Sequence, residues 1–202
     1  MAKEKYHHGT LKQEMIEKGL QLLNRKGYEG FSLRKVAVLC NVSHAAPYKH
    51  FKSKEELISA ITLQVTDSFR NSLQEAVDRH SRDPRIQILE LGKQYVRFMV
   101  ENPEHLKFLF LSKNTQPVFI REGKFYPPEH SPFCVFKKSA EDYLVSAGIN
   151  PGEWAGDILT MWSVVHGFSV LIVNNNIRYE GDYLDLLNGM LADLLASQGK
   201  RS

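Results

Sequence analysis

Ser32-Leu-Arg-Lys-Val-Ala-Val-Leu-Cys-Asn-Val-Ser-His-Ala-Ala-Pro-Tyr-Lys-His-Phe51 reads as two short helices joined by a tight turn, and Lys54-Glu-Glu-Leu57 opens a longer helix behind them. Leu33, Val36 and Ala37 fall on one apolar face of the first short helix, Val42 plugs the turn, and Ala46 and Phe51 supply the facing side of the second. Ser43 is a good N-cap for that second helix. Pro47 lies near its first turn, where the loss of one N–H donor is tolerated. The outward positions His44, Ala45, Tyr48 and Lys49 are small, aromatic or basic. Such a face suits a helix entering a major groove about 12 Å wide, so the stretch implies DNA binding.

Charge supports the same reading. Residues 1–54 hold 11 Lys and Arg against 4 Asp and Glu, whereas residues 55–202 hold 15 against 19. The basic excess therefore sits on the proposed DNA module, with His7, His8, His44 and His50 adding donors and acceptors near a phosphate backbone. With 43% hydrophobic residues over 202 positions, the chain can bury one or two cores. Cys40 and Cys134 show neither a disulfide framework nor metal spacing and read as reduced packing residues. His105, Glu104, Glu129 and His130 also lack metal-ligand spacing, so no metal and no cofactor is expected. No signal-peptide core is read at the N-terminus, and the expected location is cytoplasmic. The apolar run from Ile158 to Val173 is broken by Ser163, His166 and Ser169 and is shorter than the roughly 20 residues a bilayer requires. It reads as a buried helix, with no membrane partner.

The periodicity is helical throughout, and the expected fold class is all-α. Leu11, Met15, Ile16, Leu20 and Leu23 predict a first helix over residues 10–26, ended by Gly27. Ser53 caps a long helix carrying Leu57, Ile61, Val65, Phe69 and Leu73 to about residue 82. Asp83-Pro84, Asn102-Pro103, Ser131-Pro132 and Asn150-Pro151 each read as an N-cap followed by proline at N1, and a leucine-rich helix closes the chain over residues 182–197. Residues 113–132, rich in proline, predict a long irregular connection with a short helix near residues 118–121. The expected domains are 1–54 for DNA binding and 55–202 for a helical partner domain. The arm Lys3-Glu-Lys-Tyr-His-His8 either follows the DNA or frays in solvent.

The pattern S-x-R-x-V-A-x-x-x-x-V-S-x-A-x-P-Y-x-H-F-x-x-K-x-x-L, running from Ser32 to Leu57, resembles the DNA-binding domain of the tetracycline repressor (TetR) family of bacterial transcription regulators. Tyr6-His-His-Gly-Thr-Leu11 is similar to the start of one subgroup, and Trp162-Ser-Val-Val-His166-Gly167 resembles the W-x-x-x-H-G signature of a C-terminal domain in another. Many members carry Ala-Gly in the turn where this chain has Cys40-Asn41; asparagine accepts the left-handed conformation a turn residue needs. The resemblance implies a homodimer that binds a palindromic operator in double-stranded DNA and is released from it by a small-molecule effector. It also implies that the last two helices form a four-helix dimer interface.

DNA contacts are assigned to Ser32, Arg34, Ser43, His44, Ala45, Tyr48, Lys49, His50 and Lys54. Tyr48 and Lys54 suit phosphates, which set the docking register, while His44, Ala45 and Lys49 suit base edges. The helix over residues 152–174 is apolar around most of its circumference and needs partners on two sides; Met161, Val165, Phe168, Leu187 and Leu191 are assigned to dimerisation. Tyr95, Phe98, Met99, Phe136, Tyr143, Trp162 and His166 either line an apolar effector cavity or fill an ordinary helical core. For Trp162 and His166, one turn apart, a packed Trp with a hydrogen-bonded core histidine is the preferred reading. No nucleophile–base pair, paired acids or phosphate-cradling loop is legible, so no enzyme is expected and no catalytic residue is assigned. The rival readings are a DNA-bound adaptor that recruits a protein without an effector, and a helical small-molecule enzyme.

Overall fold

The computed structural model describes residues 8–80, 82–110 and 117–198, with side chains from residue 11 onward; the arm at residues 3–8 therefore lies outside the described side chains. The chain forms two compact units, residues 1–65 with 104–115 and residues 66–103 with 116–202.

The first unit is built from α1 (His8–Gly30), α2 (Leu33–Leu39), a 3-10 turn (Pro47–Lys49), the first half of α3 (Lys54–Arg79) and most of α5 (Pro103–Phe110). Gly27, at φ 65 and ψ −178, breaks α1 where the sequence predicts its end, and the chain resumes a short helical turn to Gly30. Leu11, Met15, Leu20 and Leu23 of α1 share one core with Leu33 and Val36 of α2 and with Leu57, Ile61 and Val65 of α3. This packing carries the first unit past residue 54, the boundary expected from sequence, to Val65. Phe108 joins the same core, and the Asn24 amide donates to both the carbonyl and the carboxylate of Glu104, at 2.9 and 2.7 Å.

In the second unit α4 (Pro84–Glu101) packs on α6 (Pro132–Ser146), α7 (Trp154–Val173) and α8 (Tyr183–Gln198). The Asp83 carboxylate caps α4 as its sequence predicts, accepting from the N–H groups of Arg85 and Ile86. The segment Pro151–Val173 is long and apolar enough in composition to cross a bilayer, but here α7 is packed against three helices of its own unit.

The described part of the proline-rich connection differs from expectation. Instead of irregular chain with a helix near residues 118–121, it forms an antiparallel hairpin, β1 (Phe119–Arg121) and β2 (Lys124–Tyr126), with Ile120 opposite Phe125. Glu122 and Gly123 both have positive φ, 49 and 70, as a two-residue type I′ turn requires. Phe125 is buried, with its ring 5.3 Å from that of Phe133. The prolines flank the strands rather than interrupt them, so no ladder N–H is lost.

Candidate nucleic-acid interface

The turn after α2 is closed by a Schellman motif. The Val42 N–H donates to the Ala37 carbonyl at 3.0 Å and the Asn41 N–H to the Val38 carbonyl at 3.1 Å, while Asn41 sits at φ 54. Asparagine thus supplies the left-handed residue in place of glycine. The Ser32 hydroxyl accepts from the Lys35 N–H at 3.3 Å and caps α2, so Ser32 acts first as a structural cap. Buried Val36, Ala37 and Phe51 hold the motif against the core.

The second helix of the motif is shorter and tighter than the sequence suggests. Ala46, Lys49 and His50 donate to the carbonyls of Ser43, Ala46 and Pro47, a three-residue spacing rather than four. Pro47 is the reason: it has no N–H to bond the Ser43 carbonyl, and its buried ring anchors the turn. The residue before the turn is Ala46 and no side chain caps it, so the Ser43 hydroxyl is not the cap that the sequence predicts. Ser43, His44, Ala45, Tyr48 and Lys49 are all exposed, Tyr48 at 54%, and Arg34 is exposed on α2. The structure brings these six side chains to the surface of one motif. His50 is half-buried, with its ring 6.5 Å from that of Phe51.

Lys54 opens α3 and is half-buried. Its Nζ lies 3.9 Å from the centre of the Tyr28 ring, and the Tyr28 hydroxyl donates to Glu55 Oε1 at 2.9 Å. That hydrogen bond raises the Tyr28 pKa, while the Glu55 pKa is lowered by its own helix N–H and then by Tyr28 and Ser53. Tyr28 was not among the residues legible from sequence; the Gly27-Tyr28 pair was the available signal. Cys40, beneath the motif, is buried, and desolvation pushes its thiol up to about 11, which keeps it protonated.

In the second unit the aromatic set forms one packed cluster. Phe69 meets Tyr95 edge-on at 5.0 Å and stacks on Phe98 at 5.0 Å, and Phe133 lies 4.6 Å from Trp162. The Trp162 indole donates to the Tyr95 hydroxyl at 3.3 Å, and that hydroxyl lies 3.1 Å from His166 Nδ1. The Tyr143 hydroxyl donates to the Leu195 carbonyl at 2.9 Å. A cavity of about 10 Å³ is lined by Gly92, Phe136, Met161, Val165 and Leu191 among others. Of the seven residues assigned to an effector, Phe136 lines it; Tyr95, Phe98, Met99 and Tyr143 are buried elsewhere in the core.

The residues assigned to dimerisation need correction. Met161, Val165, Phe168, Leu187 and Leu191 are each 4% exposed or less within the single chain. They are the protomer's own core: α4 and α6 pack on α7, which carries Met161, Val165 and Phe168, and α4 and α7 pack on α8, which carries Leu187 and Leu191. The uncovered apolar positions are Leu159 and Leu171 on α7 and Leu186 and Met190 on α8.

Burial lowers the pKa of His166 below its ordinary 6.5, and burial does the same to His105, with Glu104 opposing it. The unfolded chain therefore takes up protons that the folded chain refuses. Stability from these groups is fully present above about pH 6.5 and is lost as pH falls toward their depressed folded values. We expect the thermal midpoint to drop between about pH 7.5 and 5.5, and to drop less in His166→Gln. An identical drop in the variant would assign the effect to other groups.

A helix-turn-helix with a basic outward face, carried by a chain with a second, mostly helical unit, defines a DNA-binding regulator. Residues 15–61 match the family described as bacterial regulatory proteins, tetR family, and residues 88–194 match the tetracyclin repressor-like C-terminal domain. The chain belongs to the tetracycline repressor family of transcriptional regulators. The uncharacterized HTH-type transcriptional regulator YvkB of Bacillus subtilis (strain 168) is 23% identical over 162 residues, spanning 78% of this chain and 80% of YvkB. A solved protein of unknown function from Rhodococcus sp. RHA1 has a TM-score of 0.72 at 20% identity, covering 98% of this chain and 100% of that one. The transcriptional regulator FadR from Bacillus subtilis, in complex with stearoyl-CoA, has a TM-score of 0.64 at 11% identity, covering 91% and 97%. At such identities the structural likeness speaks for the fold.

Proposed function

We propose that this regulator is a cytoplasmic homodimeric repressor that binds a palindromic operator through Arg34, His44, Ala45, Tyr48, Lys49 and Lys54. The carrying observation is the shared exposure of Arg34, His44, Ala45, Tyr48 and Lys49, with half-buried Lys54 beside them, on a motif held to the core by buried Leu33, Val36, Ala37 and Phe51. Tyr48 and Lys54 meet phosphates, His44 and Lys49 meet base edges, and Ser32, Ser43 and His50 lie beside them. With few side chains able to read bases, DNA shape contributes to selectivity. Tyr48→Ala is expected to weaken binding to every duplex, Lys54→Gln to flatten the salt dependence by about one unit of slope, and His44→Ala to change sequence preference. Binding isotherms over a salt series test this; wild-type affinity and slope in both Tyr48→Ala and Lys54→Gln would defeat the assignment.

Dimerisation is proposed through the outward faces of α7 and α8. A Cβ added at Gly156, Gly167 or Gly189 would meet nothing within 4 Å, and Leu159, Leu171, Leu186 and Met190 are exposed on the same two helices. Small residues among apolar ones let a second copy's helices approach closely and bury the leucines. Two copies would then present their motifs to successive major grooves, roughly 34–36 Å apart along DNA.

An apolar effector would enter the second unit at the cavity beside Gly92 and Phe136. FadR of Bacillus subtilis, solved with stearoyl-CoA, motivates an apolar ligand. The void of about 10 Å³ is far below the roughly 300–1,000 Å³ of small-molecule sites, so binding requires the helices around Phe136 to part. That opening would couple to operator release, with coupling of about 1–3 kcal/mol, or roughly 5- to 150-fold in affinity. The smallness of this void, among the described residues, favours the second reading, a DNA-bound adaptor with no effector. A compound screen scored by thermal stabilisation and by DNA release separates the two.

A further inference from the structure

Lys54 occupies the first turn of a helix, where the positive end of the backbone dipole repels an ammonium. Its long side chain therefore has no intrinsic reason to stay there. Among the described residues it makes no ion pair within 4.0 Å; its ammonium rests instead on the Tyr28 ring, 3.9 Å from the centroid. The neighbouring carboxylate, Glu55, is engaged by the Tyr28 hydroxyl at 2.9 Å. One tyrosine thus holds the cation on its face and the adjacent anion on its edge.

A carboxylate partner would cancel the lysine charge and would have to be displaced before a phosphate could take its place. A ring face attracts the ammonium through its quadrupole, leaves the charge uncancelled and leaves N–H donors unspent. Tyr28 reaches this place because Gly27, at φ 65, turns the chain at the end of the first long segment of α1. Its side chain is 40% exposed, so the contact lies at the surface of the first unit rather than in its core.

We propose that Tyr28 is a positioning residue for DNA binding: its ring holds the Lys54 ammonium in place for a backbone phosphate. This rests on the reading of Lys54 as a phosphate ligand. It adds a residue that touches no DNA but sets the strength of one that does.

The test is a double-mutant cycle in the full chain, with Tyr28→Leu, Lys54→Gln and the combination, binding a mixed-sequence duplex over a salt series. Tyr28→Phe serves as the conservative variant. Lys54→Gln is expected to reduce the salt slope by about one. Tyr28→Leu is expected to weaken binding about 2- to 5-fold, the range of an exposed cation–π contact, and to have no further effect once Lys54 is gone. Tyr28→Phe keeps the ring and should retain the wild-type slope. If Lys54→Gln alters the slope while Tyr28→Leu weakens binding equally in both backgrounds, Tyr28 acts through the fold and the proposal is overturned. If Lys54→Gln leaves the slope unchanged, the phosphate assignment itself fails and takes the proposal with it.

Discussion

Phe69→Ala is expected to lower the unfolding free energy of this regulator by about 3–5 kcal/mol, the range for deleting a buried aromatic ring. Phe69 is 1% exposed in the half of α3 that belongs to the second unit, edge-on to Tyr95 and stacked on Phe98. Its removal takes away apolar burial and two ring contacts at once. It also removes the edge-on ring partner of Tyr95, whose hydroxyl Trp162 and His166 engage. Against a total stability of about 5–15 kcal/mol, such a loss is a large fraction of the whole. Phe69→Leu should recover more than half of it, because most of the volume returns. Denaturant unfolding of the three proteins measures this directly, and a Phe69→Ala midpoint equal to wild type would show the cluster to be far softer than its geometry.

Substitutions on the two sides of α7 should give opposite results. Phe168→Asp places a carboxylate at a site 4% exposed, which costs on the order of 5 kcal/mol and should unfold or aggregate the chain. Met190→Lys and Gly167→Glu change positions that face outward: Met190 is 40% exposed, and a Cβ at Gly167 meets nothing within 4 Å. The double variant should therefore keep its helical content and thermal midpoint as a protomer but sediment as a monomer. On the proposed dimeric reading its operator affinity should fall steeply, since the second half-site is lost. A double variant that still sediments as a dimer would place the interface elsewhere on the second unit.

The helix-turn-helix was legible because its signal is local. Leu33, Val36 and Ala37 sit at helical spacing, Asn41 occupies the one position needing a left-handed residue, and Asp83-Pro84 marks the start of α4 by capping chemistry alone. The β1–β2 hairpin was missed although its turn pair, Glu122-Gly123, stood in the sequence. Three-residue strands are too short to show alternation, and the surrounding prolines read as breakers when they are only flanks.

The sequence by itself determined that this chain is all but wholly helical, that residues 32–57 hold a DNA-binding motif, and which side chains of that motif are polar or basic. Those properties follow from neighbours a few residues apart, where helical periodicity and capping act. Only the tertiary structure decided which apolar residues of α7 and α8 are core and which remain uncovered. An apolar helix has no periodicity to tell its two faces apart, so the choice rests with α4 and α6, distant in sequence, which cover Met161, Val165 and Phe168 and leave Leu159 and Leu171 exposed. The placement of Tyr28 beneath Lys54 was decided in the same way, by the turn at Gly27 and the packing of α1 on α3, which bring residues 26 positions apart into contact.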